Sequence, residues 1–155
     1  MIIQIDTREH KFELARVQRQ IEKQGASTFV KKLDVGDYMN VEVPDLSIDR
    51  KKNLQELCSN VCQQHERFRR ELIRANKMGI QLIILIEHGG DINCLEDVYF
   101  WDNPRLKKSP KATRGDSLYR SLITIRDRYG VRFEFCDKRH TGRKIVELLS
   151  NGEKE

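Results

Sequence analysis

No stretch of this sequence is apolar for long enough to cross a membrane as a helix, and the opening Met1-Ile2-Ile3 leads into a strand rather than a secretory leader. Cysteine is sparse. Cys58, Cys62, Cys94 and Cys136 show no disulfide-scaffold spacing, which excludes a small cross-linked secreted fold and predicts an intracellular protein, cytoplasmic or nucleoid-associated. Cys58 and Cys62 stand four apart with His65 just beyond, but a closed zinc site needs a partner motif and only isolated cysteines remain. On an apolar helical stripe such cysteines are core. Internal repeats and low-complexity tracts are also missing, which excludes solenoids and arrays. No large excess of one charge is present either: the net charge of +5 is compatible with a polyanionic partner without requiring one.

What is present is a chain of 155 residues, enough for one domain with a proper core. We expect that domain to span residues 1–150, with 151–155 frayed. Ile2–Ile5 reads as a short strand, and Leu14, Val17 and Ile21 mark an amphipathic helix from Lys11 to Gln24. Ser27 to Leu33 is expected as a second strand, and Asn53 as the cap of a helix reaching Cys62. His65 to Lys77 continues helically on Phe68, Leu72 and Ala75. The apolar run Gln81 to Ile86 predicts a strand buried on both faces, at the centre of a sheet. Asp91 to Gly115 is irregular and basic, a candidate flap anchored by Trp101. A helix over Ser117–Tyr129, a strand over Val131–Cys136 and a last helix capped by Thr141 complete the chain. The apolar stripe of that last helix, Ile145, Leu148 and Leu149, exceeds what one domain is expected to cover.

The chemistry concentrates between Gly36 and Lys51. A hairpin is expected there, opened by Asp37, turned at Pro44-Asp45 and returning over Leu46–Lys51. Strand alternation puts Ser47, Asp49 and Lys51 on one face and Leu46, Ile48 and Arg50 on the other, with Asp37 approaching from the neighbouring strand. Two carboxylates and one ammonium suit Mg²⁺ or Mn²⁺ presenting water to a phosphodiester. Such a cation lowers the pKa of its water and neutralises developing charge, while Lys51 can orient that water or steady the phosphorane. The same three residues also match a plain surface ion-pair network.

Three ordered motifs carry a resemblance: Asp6-Thr7-Arg8-Glu9, Gly36-Asp37-Tyr38 and Asp49-Arg50-Lys51, followed by Leu85-Ile86-Glu87 at a strand end. Together they resemble the XPF-type nuclease domain of the PD-(D/E)XK superfamily, over about the first ninety residues. The chain is similar to the compact single-domain versions found in phages and prophages. The resemblance implies a restriction-endonuclease-like α/β fold, a central mixed β-sheet flanked by helices. It implies Asp6 and Glu9 as aids to the metal, Arg8 as a phosphate contact, and a homodimer paired through the last helices. It also departs from the family: Asp49 stands where a glutamate is usual, and the acid expected four places after the lysine falls on Gln55, with Glu56 next to it.

Arg67, Arg70, Arg74 and Lys77 recur at spacings of three, four and three, so they share a helix face. Glu66 and Glu71 can neutralise that face as solvated counter-charges, or the arginines can track a DNA backbone. The resemblance favours Arg67 for DNA contact, and Arg50, Lys107 and Lys108 join the expected DNA-binding set. The function expected is metal-dependent endonucleolytic hydrolysis of DNA, on flap, fork or junction substrates in repair or recombination. The rivals are a non-catalytic module for branched or single-stranded DNA and a nucleotide phosphatase.

Overall fold

The strand Gln81–Glu87 shows why this chain needs two helical layers. Leu82, Ile84 and Ile86 point to one side and Ile83 and Leu85 to the other, and none is more than 3% exposed. The computed structural model describes residues 1–151, so the rest of the expected frayed tail lies outside the described residues. In order the elements are β1 (Ile2–Ile5), α1 (Lys11–Lys23), β2 (Ser27–Val30), β3 (Tyr38–Asn40), β4 (Leu46–Lys51), α2 (Leu54–Cys62) and α3 (His65–Lys77). They continue with β5 (Gln81–Glu87), α4 (Gly115–Tyr129), β6 (Arg132–Cys136) and α5 (Thr141–Asn151). The sheet has six strands in the order β2-β1-β3-β4-β5-β6. Pairing is mixed: β3 runs antiparallel to β1 and β4, while β1–β2 and β4–β5–β6 are parallel.

Helices α1 and α5 cover one face, laying Val17, Ile21, Ile145, Leu148 and Leu149 on Ile3, Ile5, Ile48, Ile83 and Leu85. Helices α2, α3 and α4 cover the other, with Leu57, Phe68, Leu72, Leu118 and Leu122 on Leu82, Ile84, Ile86, Phe133 and Phe135. The α/β class with a helix-flanked mixed sheet is therefore as the sequence implied. No helix among the described residues is long and apolar enough to cross a membrane.

Four expectations are corrected. β5 is buried on both sides but lies second from the sheet edge; β3 and β4 hold the middle. β2 stops at Val30 because the chain then leaves the ladder, and the Leu33 amide donates to Asp6 Oδ1 at 2.8 Å. The basic segment is not a free flap. It forms 3₁₀ turns at Leu95–Phe100 and Pro104–Lys107, tied down by buried Trp101 and by Asn103, whose amide donates to the Thr113 carbonyl at 2.8 Å. Finally, Ile145, Leu148 and Leu149 are at most 3% exposed within this one chain, so that stripe is spent on the core.

Candidate active site

The site begins with a turn that only glycine fits well. Gly36 has φ +75°, and a Cβ there would fall 2.2 Å from Ser47 Oγ. That hydroxyl donates to the Val35 carbonyl at 2.7 Å, locking the turn onto β4. Asp37 follows directly and is pinned on both sides. Its amide donates to the Ile48 carbonyl at 2.7 Å, and its carbonyl accepts from the Asp6 amide at 2.8 Å.

β4 then delivers its side chains by alternation. Asp49 and Lys51 project together, with Lys51 Nζ 3.1 Å from Asp49 Oδ2 and 5.8 Å from the centre of the Phe68 ring. Arg50 projects to the opposite side. Its guanidinium, 6% exposed, is held by Glu9 and Glu87, and Glu87 also binds Arg16 and accepts from the Thr141 hydroxyl. Tyr38 completes that network by donating its hydroxyl to Glu9 Oε2 at 2.8 Å.

Asp37 Oδ2 accepts from the Arg50 amide at 2.8 Å, which turns its carboxyl towards Asp49 within hydrogen-bonding range. Burial pushes the Asp37 carboxyl well above the ordinary carboxylate range, and the Asp49 and Glu9 carboxylates push it the same way. Burial alone would lower Lys51, but Asp49 outweighs it and the ammonium is held above its usual value. Glu71 is raised by burial and then by Asp49, with Lys51 opposing.

These groups line one open cavity of about 1300 Å³. The residues fit a hard divalent cation. Asp49 is 6% exposed, and its buried Oδ2 is ion-paired with the Lys51 ammonium at 3.1 Å and has no other partner among the described residues. Two facing carboxylates destabilise each other until a cation sits between them. Among the described residues no three acidic, histidine or cysteine side chains form a closed cation cage. An open pair of carboxylates completed by water is how Mg²⁺ is usually held.

The fold brings Arg8, Glu9, Asp37, Asp49, Arg50, Lys51, Arg67, Arg70 and Arg74 to this cavity. Some residues from the sequence reading carry structural pairings as well. Asp6 is fully buried off the cavity, where it accepts from the Leu33 amide and from Arg8 Nε at 2.7 Å, so it orients Arg8 rather than facing a cation. Both oxygens of Glu9 are taken by Arg50 and Tyr38. Arg50, expected to contact DNA, has its charged end paired with Glu9 and Glu87. Lys107 and Lys108 are exposed but do not line the cavity. Cys58 is buried as expected, with its sulfur 4.0 Å from that of Cys62, but Cys62, expected in the core too, is exposed at the end of α2. The residue missed is Glu71, assigned to the arginine face as a counter-charge. Its spacing of four from Arg67 and three from Arg74 was the available signal, since whatever face those arginines turn to the cavity carries Glu71 too.

The ERCC4 domain family model matches residues 5–148. Among solved structures, XPF from Aeropyrum pernix superposes with a TM-score of 0.71 at 20% identity, covering 100% of this chain and 66% of that one. XPF from Aeropyrum pernix in complex with DNA superposes with a TM-score of 0.68 at 21% identity, covering 99% and 65% respectively. The chain thus spans just under two thirds of those proteins. No curated protein matches the sequence.

Proposed function

This chain belongs to the ERCC4 domain family, a family of DNA-processing nucleases, and on that footing we propose that it is an endonuclease that hydrolyses DNA phosphodiesters with Mg²⁺ or Mn²⁺. The observation that carries the reading is the convergence of Asp37, Asp49 and Lys51 on one open cavity, with a buried oxygen of Asp49 lacking a hydrogen bond. A bound divalent cation supplies charge neutralisation at phosphate and a more acidic water.

The remaining work falls to the side chains. Asp37 and Asp49 would hold the cation, Asp37 being fixed by the Arg50 amide. Lys51, 3.1 Å from Asp49, is placed to donate to a phosphate oxygen or to the attacking water. Arg8, steered by Asp6, and the Arg67, Arg70 and Arg74 face of α3 receive the flanking phosphates. A module that only binds DNA gains nothing from a facing acid pair, which repels the backbone it would have to hold.

The test is a gel panel of labelled single-stranded, duplex, flap, fork and four-way-junction DNA with Mg²⁺, Mn²⁺ or chelator. Cleavage is expected with metal and not with chelator. Asp37→Asn and Lys51→Ala are each expected to lower the rate by about 10² or more. Variants that cut as fast as the parent would overturn the assignment.

A further inference from the structure

Asp37, Asp49 and Lys51 together carry a net charge of −1, one short of matching a divalent cation. Helix α2 faces the same cavity with the neutral Gln55, and its nearest acid, Glu56, is occupied at the helix start, accepting from the Lys52 amide at 3.2 Å. Of the other acids lining the cavity, Glu9, Glu13, Asp34 and Glu71, the one that acts on both Asp49 and Lys51 comes from helix α3. Glu71 is partly buried, lies within electrostatic range of both Asp49 and Lys51, and accepts from the Gly36 amide at 3.3 Å. Asp49 Oδ2 already faces the Lys51 ammonium at 3.1 Å, so a divalent cation beside it calls for further negative charge from the cavity wall.

Building on the nuclease reading above, we propose that Glu71 is the third acidic group of the site. It acts from α3 as a positioning residue that sets cation affinity and holds Lys51 in place against Asp49. With it, the side chains sum to −2, equal and opposite to the cation. Glu71 would act as a supporting charge on a cation held by Asp37 and Asp49. Its bond to Gly36 couples the same carboxylate to the turn that presents Asp37, so the helix and the hairpin are set by one group.

The experiment is isothermal titration of Mn²⁺ into the parent, Glu71→Gln and the double variant Glu71→Gln/Gln55→Glu, with single-turnover cleavage measured across Mn²⁺ concentrations. Glu71→Gln keeps an oxygen that accepts from Gly36, so the fold is retained. It is expected to bind Mn²⁺ about 10–100-fold more weakly, as loss of a supporting carboxylate does, and to need correspondingly more metal for half-maximal cleavage. Gln55→Glu is expected to restore affinity in the double variant by returning a charge to the same cavity, which a merely structural defect at Glu71 would not allow. Equal Mn²⁺ affinity for the parent and Glu71→Gln overturns the proposal and leaves the nuclease reading standing. A weakened Glu71→Gln that Gln55→Glu does not improve also overturns the charge-balance account. A parent protein that neither binds Mn²⁺ nor cleaves DNA overturns both.

Discussion

Arg50 stands between Asp49 and Lys51 in the chain and works on the opposite side of the sheet from both. Its guanidinium meets Glu9 and Glu87, each with a side chain at most 6% exposed, so the three groups form a desolvated cluster. Removing one member of such a cluster strands the others. Arg50→Met is therefore expected to cost about 3–5 kcal/mol in urea unfolding, with a loss of cleavage that follows from the displaced strand. Asp6 shows the other use of a buried acid. Burial raises its carboxyl, but hydrogen bonds from Arg8 and from the Leu33 and Arg8 amides outweigh it, so its pKa falls below the ordinary value. The unfolded chain then binds the proton more readily than the native protein. The stabilisation is present above about pH 4, the unfolded carboxylate value, and is lost as pH falls towards the native one. Asp6→Asn is expected to flatten that acid limb in unfolding experiments run between neutral and acid pH; an unchanged limb would show that Asp6 is not held ionised.

The hairpin and helix α3 carry the site, and they differ in how much a single sequence reveals. Gly36 joins β4 to Asp37 through a positive φ and a close approach to Ser47. Gly36→Ala is expected to cost about 1–3 kcal/mol, seen as a lower urea midpoint, because the turn must open or Ser47 must move. A variant as stable as the parent would mean that the turn is not under this constraint. The β4 alternation, with Asp49 and Lys51 together and Arg50 apart, was legible because side-chain period two is a local rule. So was the Phe68, Leu72 and Ala75 stripe of α3. The Arg50 pairings were not, since Glu9 and Glu87 lie 41 and 37 residues away and nothing local marks them as partners. β5 was misplaced for a similar reason: burial on both faces shows that helices cover a strand, not how many strands lie beyond it. The α5 stripe looks surplus in the sequence because the surface it covers, built by α1 and the inner face of the sheet, exists only after folding.

At the scale of the molecule, the modest basic excess acquires a direction. Arg67, Arg70 and Arg74 share one cavity with the acidic pair, so a phosphate chain drawn to the arginines passes the place where the cation would sit. Affinity for DNA is expected to fall with salt. Arg67→Ala or Arg70→Ala should lower the slope of log K against log salt by about 1 each, whereas Lys107→Ala, outside the cavity, should leave cleavage unchanged. Equal slopes for parent and arginine variants in fluorescence-anisotropy titrations would place the DNA elsewhere. The account rests on a cation between Asp37 and Asp49, on the Lys51 side of the sheet, and one measurement addresses that without relying on activity: an anomalous difference map from crystals of the protein soaked in Mn²⁺. A peak between the Asp37 and Asp49 carboxylates, with Lys51 and Glu71 around it, is the predicted result. No peak there, or one on the Arg50 and Glu87 side, would contradict it.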